Sequence, residues 1–372
     1  MPALFAVLVA VAALAAVPVH YSGKYFVFSP GTAPVITTSA QCKPQAGQLT
    51  LPSGAPCVRL VVPPSKAHHM DGRLLMVDVE VSRASPLQWI AYELGLLGSH
   101  SELVTVASYA DGTPTSELGC QDTQQMVSAG QAAAIAALGA LQYRVAERPL
   151  GAQVVEVLPG TPAWRAGVHC NDLITAVNGK PVNSAAEFGK LMAPLRPGTL
   201  VTLTDHPGGG RQTRLIRARL AKPPRRVAEG GSTVPFTDRA YLGVAVSTKP
   251  ELVLPFHVSV DAGAIGGPSA GLAFTLAILD SLSGGKLTGG HVVAATGTIS
   301  PNGEVGEVGG VREKTVAVEK AGAQVFFVPA AEYSQARSVA SKDLHVVPVS
   351  TLHQALEILA HDYGGVLARS AA

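Results

Sequence analysis

From Ala270 to Leu279 the chain reads Ala-Gly-Leu-Ala-Phe-Thr-Leu-Ala-Ile-Leu, with no charged side chain and a single hydroxyl. A helix apolar on every face has no side to offer water, so it must lie inside a domain with other elements packed around it. The stretch leading into it is Gly266-Gly267-Pro268-Ser269. The two glycines let another backbone approach closely. Ser269 is expected in the first turn of the helix, where free backbone N–H groups and the positive end of the helix dipole would hold a developing oxyanion. The amides of Ser269 and Ala270 are the candidate donors.

A second stretch, Gly309-Gly310-Val311-Arg312-Glu313-Lys314, belongs with the first. On a helical wheel Val311, Thr315, Val318 and Ala321 share one face and Arg312, Glu319 and Lys320 the other. Lys314 falls on the apolar face. A lysine held there loses hydration, its pKa falls, and the neutral amine can take a proton from a serine hydroxyl. Taken singly, a serine near a helix start is a common cap and a lysine on an apolar face commonly reaches back to water; it is their combination that carries chemistry.

Pro268-Ser269-Ala270-Gly271, then Thr296-Gly297-Thr298-Ile299, Gly303, Val305, Gly309-Gly310, Glu313-Lys314 and Ala321-Gly322, resembles in order and spacing the proteolytic domain of the Lon family of serine peptidases. The resemblance covers roughly residues 241–363. It implies Ser269 as nucleophile, Lys314 as general base and Thr296 as a supporting group that contacts the lysine. Many Lon enzymes carry an acidic residue three positions before the serine, where this chain has Gly266.

Between 148 and 222 lies a compact unit. Gln153–Leu158 alternates as a strand, Asn178-Gly179 marks a hairpin, and Ala185–Met192 suits a helix. Val157–Ala163, Ala166-Gly167, Asp172–Ile174 and Val177–Gly179 resemble the pattern of a PDZ domain. Such domains bind an extended peptide as an added strand and hold its carboxylate in a backbone nest. Arg148–Gly151 is the nearest stretch to such a nest, which makes Leu150 and Gly151 the peptide-binding candidates.

Pro2–Val17 has no charged side chain, and His20, Tyr21, Lys24, Tyr25, Phe26 and Phe28 follow it. The run is near the lower length for a membrane span, so residues 1–20 are expected to be a membrane anchor or a signal segment cleaved near Ala13-Leu14-Ala15. Cys42 and Cys57 bracket a Pro/Gly/Ser-rich loop and are expected to pair if that part lies outside the cytoplasm. Cys120 and Cys170 offer no spacing argument. No C-x-x-C pair or H-E-x-x-H occurs, His68-His69 reads as solvent-exposed, and neither metal nor cofactor is expected.

The expected architecture is therefore α+β and multidomain: an apolar anchor (1–20), an extracytoplasmic α/β region (21–147) with a helix over Gln124–Leu141, a PDZ-like β-barrel (148–222), a linker (223–239) and a Lon-type α/β proteolytic domain (240–372). Strands are expected at Leu242–Val246 and Phe256–Val260, leading to the serine loop. With 28 Lys and Arg against 26 Asp and Glu, the net charge of +2 gives no reason to expect nucleic acid as partner. Ser283-Gly284-Gly285-Lys286-Leu287 lacks the spacing of an ATP-binding loop, so cleavage is expected without ATP. The whole order resembles bacterial membrane-anchored PDZ/Lon-type peptidases, which implies protein or peptide substrates, membrane attachment through the N-terminal segment, a catalytic part outside the cell membrane (secreted if the signal is cleaved) and a homo-oligomer. Two other readings fit parts of the chain. One is an α/β-hydrolase, since Gly267–Gly271 satisfies G-x-S-x-G and Asp343 and His353 follow in triad order. The other is an inactive PDZ scaffold, against which stands the joint presence of Ser269, Lys314 and Thr296.

Overall fold

The computed structural model describes residues 24–45, 48–96, 101–110, 118–223, 227–229, 232–234 and 239–367. The expected anchor over 1–20 and most of the expected linker lie outside the described residues. Among the described residues, no helix is long and apolar enough to cross a membrane.

The N-terminal region contributes strands β1 (Tyr25–Pro30), β2 (Val35–Thr37), β3 (Cys57–Val61), β4 (Arg73–Leu75), β5 (Val79–Arg83) and β6 (Glu102–Thr105), then helix α1 (Leu118–Ala140). The middle region supplies β7 (Ala146–Val157), β8 (Leu173–Val177), helix α2 (Ala185–Met192), β9 (Leu200–His206), β10 (Arg214–Arg219) and β11 (Val244–Val253). The C-terminal part adds β12 (Ser259–Asp261), helix α3 (Gly271–Leu282), β13 (Val292–Ala295), helix α4 (Val311–Lys320), β14 (Val325–Pro329), β15 (His345–Val349) and helix α5 (Leu352–Asp362).

The largest sheet has the strand order β12-β3-β2-β4-β13-β14-β15. Its C-terminal strands are parallel, β13 to β14 and β14 to β15, as helical crossovers require. The N-terminal region, expected as an α/β segment over 21–147, shares this sheet: β2, β3 and β4 are built into it, with β4 parallel to β13. Every residue of α3 is buried, and α1 packs against it, with Ala133, Ala134, Ala136 and Ala137 in the same buried cluster. Small side chains let the two helices lie close, and filling that contact is worth several kcal/mol; truncating Phe274 to Ala would cost about 3–5 kcal/mol.

The second sheet runs β10-β9-β8-β7-β11. Asn178 and Gly179, with φ of 50° and 75°, close the hairpin between Val177 and Lys180, as a type I′ turn demands. The strand expected to open the proteolytic domain belongs instead to this sheet: β11 pairs antiparallel with β7 over its whole length. The loop before it is stitched to the same unit, since Leu158 N–H donates to the Gly243 carbonyl (3.0 Å) and Ala163 N–H to that of Leu242 (2.9 Å). Gly243 has φ +88°, and a Cβ there would lie 2.2 Å from that of Thr161, so only glycine fits. Two disulfides are present, Cys42–Cys57 and Cys120–Cys170; the second ties the start of α1 to the β7–β8 connection.

Candidate active site

The carbonyl of Ser269 is diverted before the helix can use it. It accepts the Gly297 N–H (2.8 Å) and the Thr296 hydroxyl (3.2 Å) from the segment that follows β13. The first helical acceptor is therefore Ala270, whose carbonyl takes the Phe274 N–H, and α3 starts at Gly271. Ser269 thus lies just ahead of the helix, not in its first turn as expected. Thr296 touches the backbone of Ser269 itself. A side chain at Gly271 has no room, since a Cβ would lie 2.8 Å from the Ile299 backbone nitrogen.

Lys314 comes from the first turns of α4. That helix starts on Gly310 with φ +66°, where a Cβ would press on Val79 at 2.7 Å, and the Gly310 carbonyl accepts the Lys314 amide. Glycine here sets the helix down against β5 and aims the lysine inward. Ser269 and Lys314 line one cavity of about 500 Å³, together with Asp122 and Gln125 of α1, Pro268 and Gly309. Lys314 is 2% exposed. Burial pulls its pKa from 10.5 down to about 8, against the opposing pull of Glu332, Asp78 and Glu313. Desolvation outweighs the three negative charges.

The sequence signals for several of these groups were faint. Asp122, whose carboxyl is raised by burial, sits in a helix recognisable only by its Ala/Gln content. Glu332 does not reach the lysine directly; its carboxylate accepts the Val308 N–H (2.8 Å) and steadies the loop before Gly309.

Two sets of sequence candidates are not brought to the cavity. His353 is exposed on α5, 3.2 Å from Glu357, and Asp343 is exposed as well; neither lines the space around Ser269, so the hydrolase triad is not assembled. Leu150 and Gly151 lie within β7, where Gly151 is paired with Lys249 and a Cβ would meet the Ile174 carbonyl at 2.9 Å. A backbone already committed to a neighbouring strand cannot cradle a carboxylate. The turn before an edge strand is Tyr241-Leu242-Gly243-Val244, a glycine between apolar residues followed by alternation, and that was the signal to read. Strand β11 ends the sheet on the side of α2, and the Ala185 N–H donates to Thr248 Oγ1 (3.1 Å).

Residues 247–362 match the Lon protease (S16) C-terminal proteolytic domain, and residues 153–204 match the PDZ domain. The chain is 26% identical over 164 residues to a Lon protease of Chloroflexus aggregans, covering 43% of this chain and 20% of that protein. It is 35% identical over 108 residues to a Lon protease of Mesomycoplasma hyopneumoniae, covering 28% and 12%. Over 53 residues it is 53% identical to the periplasmic pH-dependent serine endoprotease DegQ of Escherichia coli, covering 14% and 12%. The chain thus spans a fifth or less of the length of these relatives. It carries a PDZ domain and, C-terminal to it, a Lon-type proteolytic domain.

Proposed function

We propose that the protein is a serine endopeptidase with a Ser269–Lys314 dyad, cleaving unfolded or flexible protein segments without ATP, with the PDZ domain binding or gating the substrate. The observation that carries this reading is a lysine buried in the cavity of the serine with its pKa at about 8. At pH 7 about a tenth of such a lysine is neutral, against about one in three thousand of an ordinary one, which turns a spectator cation into a usable base.

Neutral Lys314 takes the Ser269 hydroxyl proton as the oxygen attacks the peptide carbonyl. The amides of Ser269 and Ala270 are the proposed donors to the oxyanion. The tetrahedral intermediate collapses as Lys314 passes its proton to the leaving amine, leaving an acyl-enzyme. Water, deprotonated by the same amine, then releases the new carboxylate and restores Ser269. Thr296 keeps the serine's backbone in place throughout. For the PDZ domain, the support is the terminal strand β11 beside α2 and the Gly243 turn ahead of it, a geometry suited to adding a peptide as one more strand.

The reading includes a location at the outer face of the cell membrane. Two disulfides favour an oxidising compartment. The eight-residue helix Pro86–Glu93 has no buried residue and, together with the turn after it, exposes Leu87, Tyr92, Leu94 and Leu96. The pairing of Phe26 with Arg83 puts it near the end where the chain arrives from the apolar Pro2–Val17 run, as a surface resting on lipid would require.

The test is cleavage of casein by the full chain without ATP, beside Ser269→Ala and Lys314→Ala. Loss in both variants supports the dyad. Undiminished cleavage by Lys314→Ala sinks it, and a parent that neither cleaves nor is acylated at Ser269 leaves the inactive scaffold.

A further inference from the structure

One side of α1 carries Gln121, Gln124, Gln125, Ser128 and Gln131, spaced to lie along a single face. The cavity of Ser269 and Lys314 shares Gln125 and Pro268 with a second hollow, and that hollow shares Gln124, Ser128 and Ser247 with a third. The third reaches Thr248 and Lys249 on β11. A continuous trough therefore runs from the edge strand of the PDZ sheet to the serine. Helix α1 forms one wall; Ser247, Thr298 and Ile299 form the other.

The wall is fastened at its serine end. Cys120 is bonded to Cys170, the Gln124 amide donates to the Val154 carbonyl (2.9 Å), and the Asp122 carbonyl accepts the Gly267 N–H (2.8 Å). A face held in this way presents a fixed pattern. From Gln121 to Gln131 the helix rises about 15 Å, the length of about four or five residues of extended chain at about 3.3 Å each.

Carboxamide and hydroxyl groups both donate and accept, so they can meet the alternating N–H and C=O groups of an extended backbone whatever its side chains. Charge lies only toward the ends, with Asp122 at the serine and Glu147 and Lys249 at the far end. Resting on the peptidase reading above, we infer that this trough is the path of the substrate: an extended, unfolded polypeptide segment is laid along the glutamine face of α1 between the PDZ edge strand and Ser269. Residues 118–140 lie outside both matched stretches.

The experiment uses the full chain in two forms. Ser128→Trp, at an exposed position in mid-trough, is expected to slow casein cleavage about tenfold or more while acetylation of Ser269 by p-nitrophenyl acetate stays within about twofold of the parent. In a chain carrying Ser269→Ala, the photo-crosslinker p-benzoylphenylalanine at position 128 is expected to capture reduced, carboxymethylated casein, and the same group in place of the exposed Glu357 is not. Parental casein cleavage by Ser128→Trp, or equal capture at both positions, overturns the trough and leaves the dyad standing. A parent that is neither acetylated nor cleaves casein overturns the dyad instead, and capture at position 128 then decides the trough by itself.

Discussion

The carbonyl of Asp122 accepts the amide proton of Gly267 at 2.8 Å, joining a helix of the N-terminal region to the loop that carries Ser269. A Cβ on the neighbouring Gly266 would lie 2.6 Å from the Cβ of Asp122. The space that a side chain at position 266 would need is thus taken by Asp122 from another element.

Gly266→Ala tests that contact. The added methyl has to displace backbone as well as side chain, since Asp122's carbonyl carbon would be 3.2 Å away. A loss of about 1–3 kcal/mol is expected, as for other overpacked positions, together with slower acylation of Ser269 as the loop shifts. Thermal unfolding and p-nitrophenyl acetate kinetics read the two effects; an unchanged melting temperature would mean that α1 gives way freely.

Lys314 sets a pH profile and a stability cost of opposite sense. The rate constant kcat/KM is expected to rise about tenfold per pH unit up to about 8, the pKa to which burial lowers the amine, and to flatten above it. Because the folded pKa lies below the unfolded value of 10.5, the unfolded chain binds more protons between the two, and stability rises with pH across that window. Lys314→Met is therefore expected to be inactive yet more stable at pH 7, by roughly 3 kcal/mol at most. A variant no more stable than the parent in urea at pH 7 would argue that the lysine is hydrated.

Asp280 gives a second pH signature, at the other end of α3. It is fully buried, its Oδ1 accepts the Leu287 N–H (2.8 Å), and its Oδ2 has no hydrogen-bond partner among the described residues. Burial pushes its pKa from 3.8 up to about 6, helped by the charge of Asp71 and opposed by the Leu287 bond. Stability from the protonated form is complete below about 4 and is lost as pH rises through 6. Asp280→Asn is expected to flatten urea midpoints between pH 4 and 7, and a parent-like slope in the variant would assign the effect elsewhere.

The Cys120–Cys170 disulfide closes a separation of 50 residues and Cys42–Cys57 one of 15. Loop-closure entropy ranks them at roughly 4 and 3 kcal/mol. Replacing Cys120 and Cys170 together by Ser is expected to lower the urea midpoint more than the same change at Cys42 and Cys57. It should also slow casein cleavage more than acetylation of Ser269, because it loosens the α1 wall. Equal effects on both reactions would show that the bridge serves stability alone.

Much of this was legible in local patterns. The uncharged run after Ser269 could only be a buried helix, the Asn178-Gly179 turn could only suit a tight hairpin, and the apolar stripe of Val311, Thr315 and Val318 placed Lys314 indoors, because each depends on residues within a few positions of one another. What joins distant segments was decided by the tertiary structure. The helix stops short of Ser269 because Thr296 and Gly297 compete for its carbonyl. Strand β11 belongs to the PDZ sheet because its backbone finds partners in β7, across a linker that gave no hint of direction. Asp122 reaches the serine loop because small alanines let α1 lie against α3. Residue type and spacing determined the chemistry available to this protein; which groups meet was set by backbone hydrogen bonds and close packing between segments that the sequence keeps far apart.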